Sequence, residues 1–205
     1  MISVIMPVNL SPYKHGNIRC ASDPGYKFRR AVHSFLRQTY KDSELIIISD
    51  GCQIADRIYH ENFEYQLRIK FIRIIKQPDF GGGVRQAGLN LAKGNIVCYL
   101  DHDDFFGRNH LKLIAEKFKG DWIYYDDFII TSKDDTGFHA TKRDVIPKIC
   151  SIGTSSIAHK RSLNVVWGDG YGHDWRMIEK YLLPHSNAKI PKAEYYVCHT
   201  SNTDF

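Results

Sequence analysis

Two hydrophobic periods alternate along the chain. Short runs in which almost every residue is apolar are separated by longer stretches in which apolar residues return every three or four positions. Ile2 to Met6 reads as a first strand, and a long loop with Pro12, Gly16, Pro24 and Gly25 follows it. Phe28, Ala31, Val32, Phe35 and Leu36 sit at helical spacing and predict a helix from Tyr26 to Gln38. Glu44 to Ser49 is the second strand, closed by Asp50-Gly51, Ile54 to Tyr65 a weaker helix, and Ile69 to Ile75 the third strand. Gly81-Gly82-Gly83 opens the next helix, and Gly94 reads as its close. Ile96 to Leu100 is a strand, and Asn109 is placed to cap a helix reaching Phe118, with Leu111, Leu113, Ile114 and Phe118 inward. Trp122 to Ile130 is strand-like, and Lys133 to Gly137 reads as a hairpin turn. Gly153-Thr-Ser-Ser156 leads into a short apolar segment. His173 to Leu183 is helical and stopped by Pro184, and Ala193 to Cys198 forms a last strand. Strands alternating with helices predict an α/β domain with a largely parallel sheet. No repeat, low-complexity tract or linker divides the chain, so one domain is expected over residues 1–205.

Composition narrows the class. With 43% hydrophobic and 25% charged residues the chain is ordinary for a globular protein, and no apolar run approaches the roughly 20 residues that span a bilayer. Met1 to Pro7 lacks a basic n-region and reads as a strand, not a leader. Five scattered cysteines without a CxxC pair argue against a disulfide framework or zinc module and fit a reducing cytoplasm. Ten histidines show neither HxxxH nor HExxH spacing. The net charge of +5 favours phosphate-bearing partners, although the basic residues are scattered.

The densest chemistry lies in Asn95-Ile-Val-Cys-Tyr-Leu-Asp-His-Asp-Asp104, where an apolar strand runs into three carboxylates. Ligands of open α/β sheets collect outside the carboxyl ends of the strands. Carboxylates suit Mg2+ or Mn2+, and Mg2+ commonly takes one or two of them together with substrate phosphates. An acidic turn after a strand is the plainer alternative. The glycines at 81–83 are not the GxGxxG dinucleotide fingerprint.

Six segments together resemble the GT-A glycosyltransferases, most closely the large inverting family 2. They are Ser3-Val-Ile-Met-Pro7, Ser34-Phe-Leu-Arg-Gln-Thr-Tyr40, Glu44-Leu-Ile-Ile-Ile-Ser-Asp-Gly51, Gly83-Val-Arg-Gln-Ala-Gly-Leu-Asn90, Tyr99-Leu-Asp-His-Asp-Asp104 and Gly172-His-Asp-Trp175. Their order matches that family along nearly the whole chain. The resemblance implies a single GT-A, Rossmann-like domain with a central, mostly parallel mixed sheet flanked by helices. Residues 1–104 would form the nucleotide-sugar half and residues 105–205 the acceptor half.

The resemblance also implies roles. Asp103 would ligate Mn2+ or Mg2+. Asp101 would touch the ribose or a metal-bound water, with Asp104 orienting both. Asp50 would accept a hydrogen bond from the nucleotide base, and Pro7 and Arg85 would line the donor site. Asp174 would be the general base an inverting transferase needs. His199 would be a late metal or phosphate ligand, or else structural. Trp167, Tyr171 and Trp175 could wall the sugar pocket or belong to the core, and Gly153 to Ser156 could line the acceptor site. The expected donor is a nucleotide sugar, UDP-linked by preference, and the acceptor a glycan or other hydroxyl. A hydroxylated base in phage-type DNA is a minority acceptor. A sugar nucleotidyltransferase and a non-catalytic nucleotide-sugar-binding module are the competing classes.

Overall fold

The computed structural model describes residues 1–11, 24–77, 81–134 and 137–198. In chain order the elements are β1 (Ile2–Val8), α1 (Pro24–Leu36), β2 (Ser43–Asp50), α2 (Gln53–Asn62), β3 (Ile69–Ile74) and α3 (Gly82–Leu91). Then follow β4 (Ile96–Tyr99), β5 (Phe105–Phe106), α4 (His110–Lys117), β6 (Trp122–Tyr125), β7 (Asp127–Asp134) and β8 (Gly137–Arg143). Last come β9 (Ile157–Lys160), α5 (His173–Met177), β10 (Asn187–Ile190) and β11 (Tyr195–Val197).

Seven strands form the main sheet in the order β10-β6-β9-β4-β1-β2-β3. The β1–β2, β2–β3, β1–β4 and β10–β6 pairs are parallel, and β9 runs antiparallel to both its neighbours. Strands of a parallel sheet covered on both faces are apolar throughout, and all eight residues of β2 are buried. Alternate side chains feed two cores. Val4, Met6, Leu45 and Ile47 pack with α1 and α2, while Ile5, Ile46 and Ile48 pack with Val84 and Leu89 of α3. The chain builds β1, β2 and β3 outward in one direction and then returns to place β4 on the other side of β1. That reversal opens a crevice between the carboxyl ends of β1 and β4.

Four strands, β5-β11-β7-β8, form a second sheet beside the acidic segment. The expected single strand from Trp122 to Ile130 is two strands in two sheets. Asp126 separates them; its Oδ1 accepts the Val145 N–H at 2.9 Å, and it pairs with Lys142 and Lys189. The β7–β8 pair is antiparallel, as the hairpin predicted, although residues 135 and 136 of its turn lie outside the described residues.

Other local expectations change in their physics. Gly94 does not close α3, which ends at Leu91 with extended Ala92 as its cap. Gly94 is small because it packs on β1, where a Cβ would come 2.6 Å from the Ser3 nitrogen. Asn109 stands at the α4 N-cap without a side-chain capping bond, and its Oδ1 instead accepts the Thr39 hydroxyl at 3.0 Å. Leu111 and Ile114 are buried, whereas Leu113 and Phe118 are only half-buried. The last predicted helix is two pieces, α5 and a π-helical stretch Ile178–Leu182. The short strands β5 and β10 had no expectation.

Candidate functional site

Three strand ends meet at the crevice. Half-buried Pro7 is the penultimate residue of β1, paired in register with Ile48. Asp50 ends β2 and is 7% exposed. Its Oδ1 accepts the Gln77 N–H at 2.6 Å, its Oδ2 pairs with Lys76, and Asn9 Nδ2 donates to its carbonyl at 3.3 Å. Asp50 thus fastens the segment after β3 to the rim.

The segment after β4 is held from below. Asp104 is buried, and its Oδ1 accepts the Cys198 N–H at 2.8 Å while its Oδ2 accepts the Tyr195 hydroxyl at 2.9 Å. The same hydroxyl accepts the Asp101 N–H at 3.1 Å. Burial, and then the charges of Asp103 and Asp101, push the Asp104 carboxyl well above the usual carboxylate range. The rim therefore concentrates negative charge. Burial likewise raises the Tyr195 hydroxyl, which stays protonated and able to donate. Arg30 closes the outer side, with Nη2 donating to the Asp103 carbonyl at 2.8 Å.

Arg85 joins the acidic segment to the region of the expected base. It lies one turn into α3, its N–H on the Gly81 carbonyl at 3.0 Å, and is 7% exposed. Nη2 donates to Asp101 Oδ1 at 2.6 Å, Nη1 lies 3.3 Å from His173 Nε2, and the guanidinium sits over the Trp167 ring at 5.6 Å. Burial and the Arg85 charge lower the His173 pKa, which keeps the ring neutral, with Nε2 able to accept from Arg85. Gly82 allows the loop before α5 to come this close; a Cβ there would lie 2.0 Å from the Gly168 carbonyl oxygen.

Asp174, half-buried in the first turn of α5, accepts its neighbour Trp175's N–H on Oδ1 at 2.8 Å. Its Oδ2 faces Gly153, where a Cβ would lie 3.2 Å away. The segment from Gly153 to Ser156 is therefore brought against Asp174. Trp167 belongs to the core; its Nε1 donates to the buried Tyr99 hydroxyl at 3.2 Å. Trp175 is half-buried and Tyr171 exposed. His199 lies outside the described residues.

Three residues of the site carry no signal in a strand-end or motif reading. Tyr195 and Cys198 belong to the last strand region, and His173 sits beside the expected base. Only the acidic position 104 hinted that something must pair with it.

Among the described residues no three His, Cys, Asp or Glu side chains converge as a closed metal cage. The donor set nonetheless fits a hard divalent cation that keeps water and substrate oxygens. Asp101 and Asp103 offer carboxylate oxygens on a rim whose negative charge already raises Asp104.

Known proteins share this arrangement. The sequence profile of glycosyl transferase family 2 matches residues 27–178. An uncharacterised glycosyltransferase of Nostoc sp. is 33% identical over 90 residues, covering 44% of this chain and 28% of that protein. The structure of S. aureus TarS residues 1–349 in complex with UDP-GlcNAc superposes with a TM-score of 0.73 at 16% identity, covering 96% of this chain and 58% of that one. GalNAc-T7 with UDP, GalNAc and Mn2+ superposes at 0.68 with 13% identity, covering 98% and 44%. The fold is thus GT-A, and the chain belongs to glycosyl transferase family 2. It spans under a third of the Nostoc relative and less than two thirds of either structure. No helix among the described residues is long and apolar enough to cross a membrane.

Proposed function

We propose that the crevice transfers a sugar from a UDP-sugar to an acceptor hydroxyl with inversion, as a step in glycan assembly. The observation that carries this reading is the Arg85 guanidinium, which holds Asp101 with one nitrogen and contacts His173, next to Asp174, with the other. Donor rim and base are thereby parts of one rigid unit. The solved neighbours bound to UDP-GlcNAc, or to UDP and Mn2+, support this donor class.

Asp103, with Asp101, would hold Mn2+ or Mg2+. Bound there, the cation supplies Lewis-acid stabilisation of the departing diphosphate. Asp101, fixed by Arg85 and by the Tyr195 hydroxyl, positions the ribose. Asp50 already serves Gln77 and Lys76, yet a carboxylate has about four lone-pair sites and can also accept from the base. Pro7 forms the floor beside it. Asp174 Oδ2 takes the acceptor hydroxyl proton as the acceptor oxygen bonds to the anomeric carbon. The bond from that carbon to the phosphate oxygen breaks, and UDP leaves with the electron pair. Gly153 to Ser156 border the acceptor side of Asp174. Residues 1–104 accordingly carry the donor and residues 105–205 the acceptor.

Asp174→Asn keeps the shape and removes the base, so transfer falls by about 10²- to 10⁴-fold while UDP affinity holds. A UDP-sugar panel with UDP release as readout, and NMR of the product anomer, checks this. Undiminished transfer by Asp174→Asn, or a retained anomeric configuration, overturns the assignment.

A further inference from the structure

A cleft of about 920 Å³ runs along the outer face of α1 and over β5, on the far side of Arg30 from the acidic rim. Its cationic walls are Arg29, Arg30, Arg37, Lys41 and Arg108, with His33 among them, and no acidic side chain lines it. The α1 residues recur at helical spacing and so share one face. A helix of this length extends about 20 Å, which makes the cleft a track and not a point site. One end of the track is tied to the site, because Arg30 Nη2 bonds the Asp103 carbonyl.

The lining discriminates between polyanions. Phe105 is covered by the Arg30 guanidinium at 5.0 Å and by the Tyr196 ring, stacked at 4.8 Å. Phe106 is buried and stacked on His110 at 4.1 Å. Neither ring has a face to offer an unpaired base, and aromatic platforms are what single-stranded nucleic acid readers use. A bilayer is flat and cannot reach the floor of a cleft. A duplex about 20 Å wide is likewise too broad to enter beside half-buried Arg30. Four of the five cations are arginines, whose planar fork matches phosphate oxygens.

We propose that this cleft binds a thin, base-free phosphodiester chain and feeds its hydroxyl-bearing units toward the Asp101–Asp104 rim. This names the acceptor class and rests on the transferase reading above.

The test uses a fluorescent abasic oligonucleotide, a sugar–phosphate chain without bases, against the same length of oligo-dT, the duplex and anionic vesicles. The abasic chain binds at least as tightly as oligo-dT and more tightly than the duplex or vesicles. The exposed triple substitution Arg37→Glu, Lys41→Glu, Arg108→Glu weakens it about tenfold or more and lowers the salt slope by about two. Lys93→Glu, Lys119→Glu, Lys148→Glu carries the same charge change outside the cleft and costs less than about twofold. Should the first triple fail to fold, as judged by its melting transition, Arg37→Gln with Arg108→Gln reads the same effect. Tighter binding of duplex, oligo-dT or vesicles, equal loss in the two triples, or no binding by the native chain overturns the proposal. UDP release by the native protein is measured in parallel. Release without chain binding defeats the cleft alone, and chain binding without release defeats the transferase reading alone.

Discussion

The halves on either side of the acidic segment are held together by different physics. From β1 to β4 the parallel strands are buried on both faces, and their order is secured by apolar side chains such as Ile46, Ile47 and Ile48. From β6 to β9 the chain changes sheets, and ion pairs with hydroxyls do the fastening. Asp127 is fully buried, receives Arg143 through two nitrogens, and accepts Ser155 Oγ at 3.0 Å and Ser156 Oγ at 3.1 Å. Asp126 joins Lys142, Lys189 and the Val145 N–H in the same way. Apolar packing sets where strand ends lie, and hence the rim of the crevice. Polar fastening sets how a second sheet and the segment from Gly153 to Ser156 are presented to Asp174.

That contrast can be broken on either side. Ile47→Ala opens a cavity in the parallel half and costs about 4 kcal/mol, read by urea unfolding. Asp127→Ala leaves the Arg143 charge without its partner and costs about 3 kcal/mol. Hydrogen exchange should rise first in β7 and β8 and leave β1 and β2 protected. Equal loss of protection in both sheets would show that the two modes of fastening are not separable.

The smallest effect sharpens the comparison in the opposite direction. His110 is fully buried among Phe106, Tyr125 and Tyr195, and among the described residues neither ring nitrogen has a hydrogen-bond partner. His110→Phe removes two unsatisfied polar atoms and should stabilise by about 1 kcal/mol. It also alters the acid limb. Burial lowers His110 to about 3 and His159 to about 4, so both rings fold neutral. The stability they contribute is complete above the unfolded value of 6.5 and is lost as pH falls from there toward 4. The melting temperature of His110→Phe should therefore fall less steeply over that window than that of the native chain. An identical slope would contradict the neutral buried ring.

Legibility in the sequence followed the same divide. Continuous apolar runs marked β1 to β4 because parallel strands covered on both faces leave no polar alternation to misread. Trp122 to Ile130 looked equally continuous, yet Asp126 and Asp127 lie inside it and are buried by partners as distant as Arg143 and Lys189. Local pattern cannot show such pairings. At the site, Asp101, Asp103 and Arg85 stood out by strand-end and helix-start position. Tyr195 did not, since it meets Asp104 across 91 residues and reads locally as one more aromatic in a strand. Gly94 and Asn109 were placed correctly for reasons that tertiary packing replaced.

The central claim is that the Asp101–Asp104 rim grips a diphosphate through a divalent cation. Its most direct test is the melting temperature of the native protein and of Asp103→Ala with UDP, with and without Mn2+. A ligand at a hundredfold its Kd stabilises the folded state by about 2.7 kcal/mol. The native protein should show that gain only when UDP and Mn2+ are present together, and Asp103→Ala should show none. A full shift in Asp103→Ala, or an equal shift without the metal, would contradict the account.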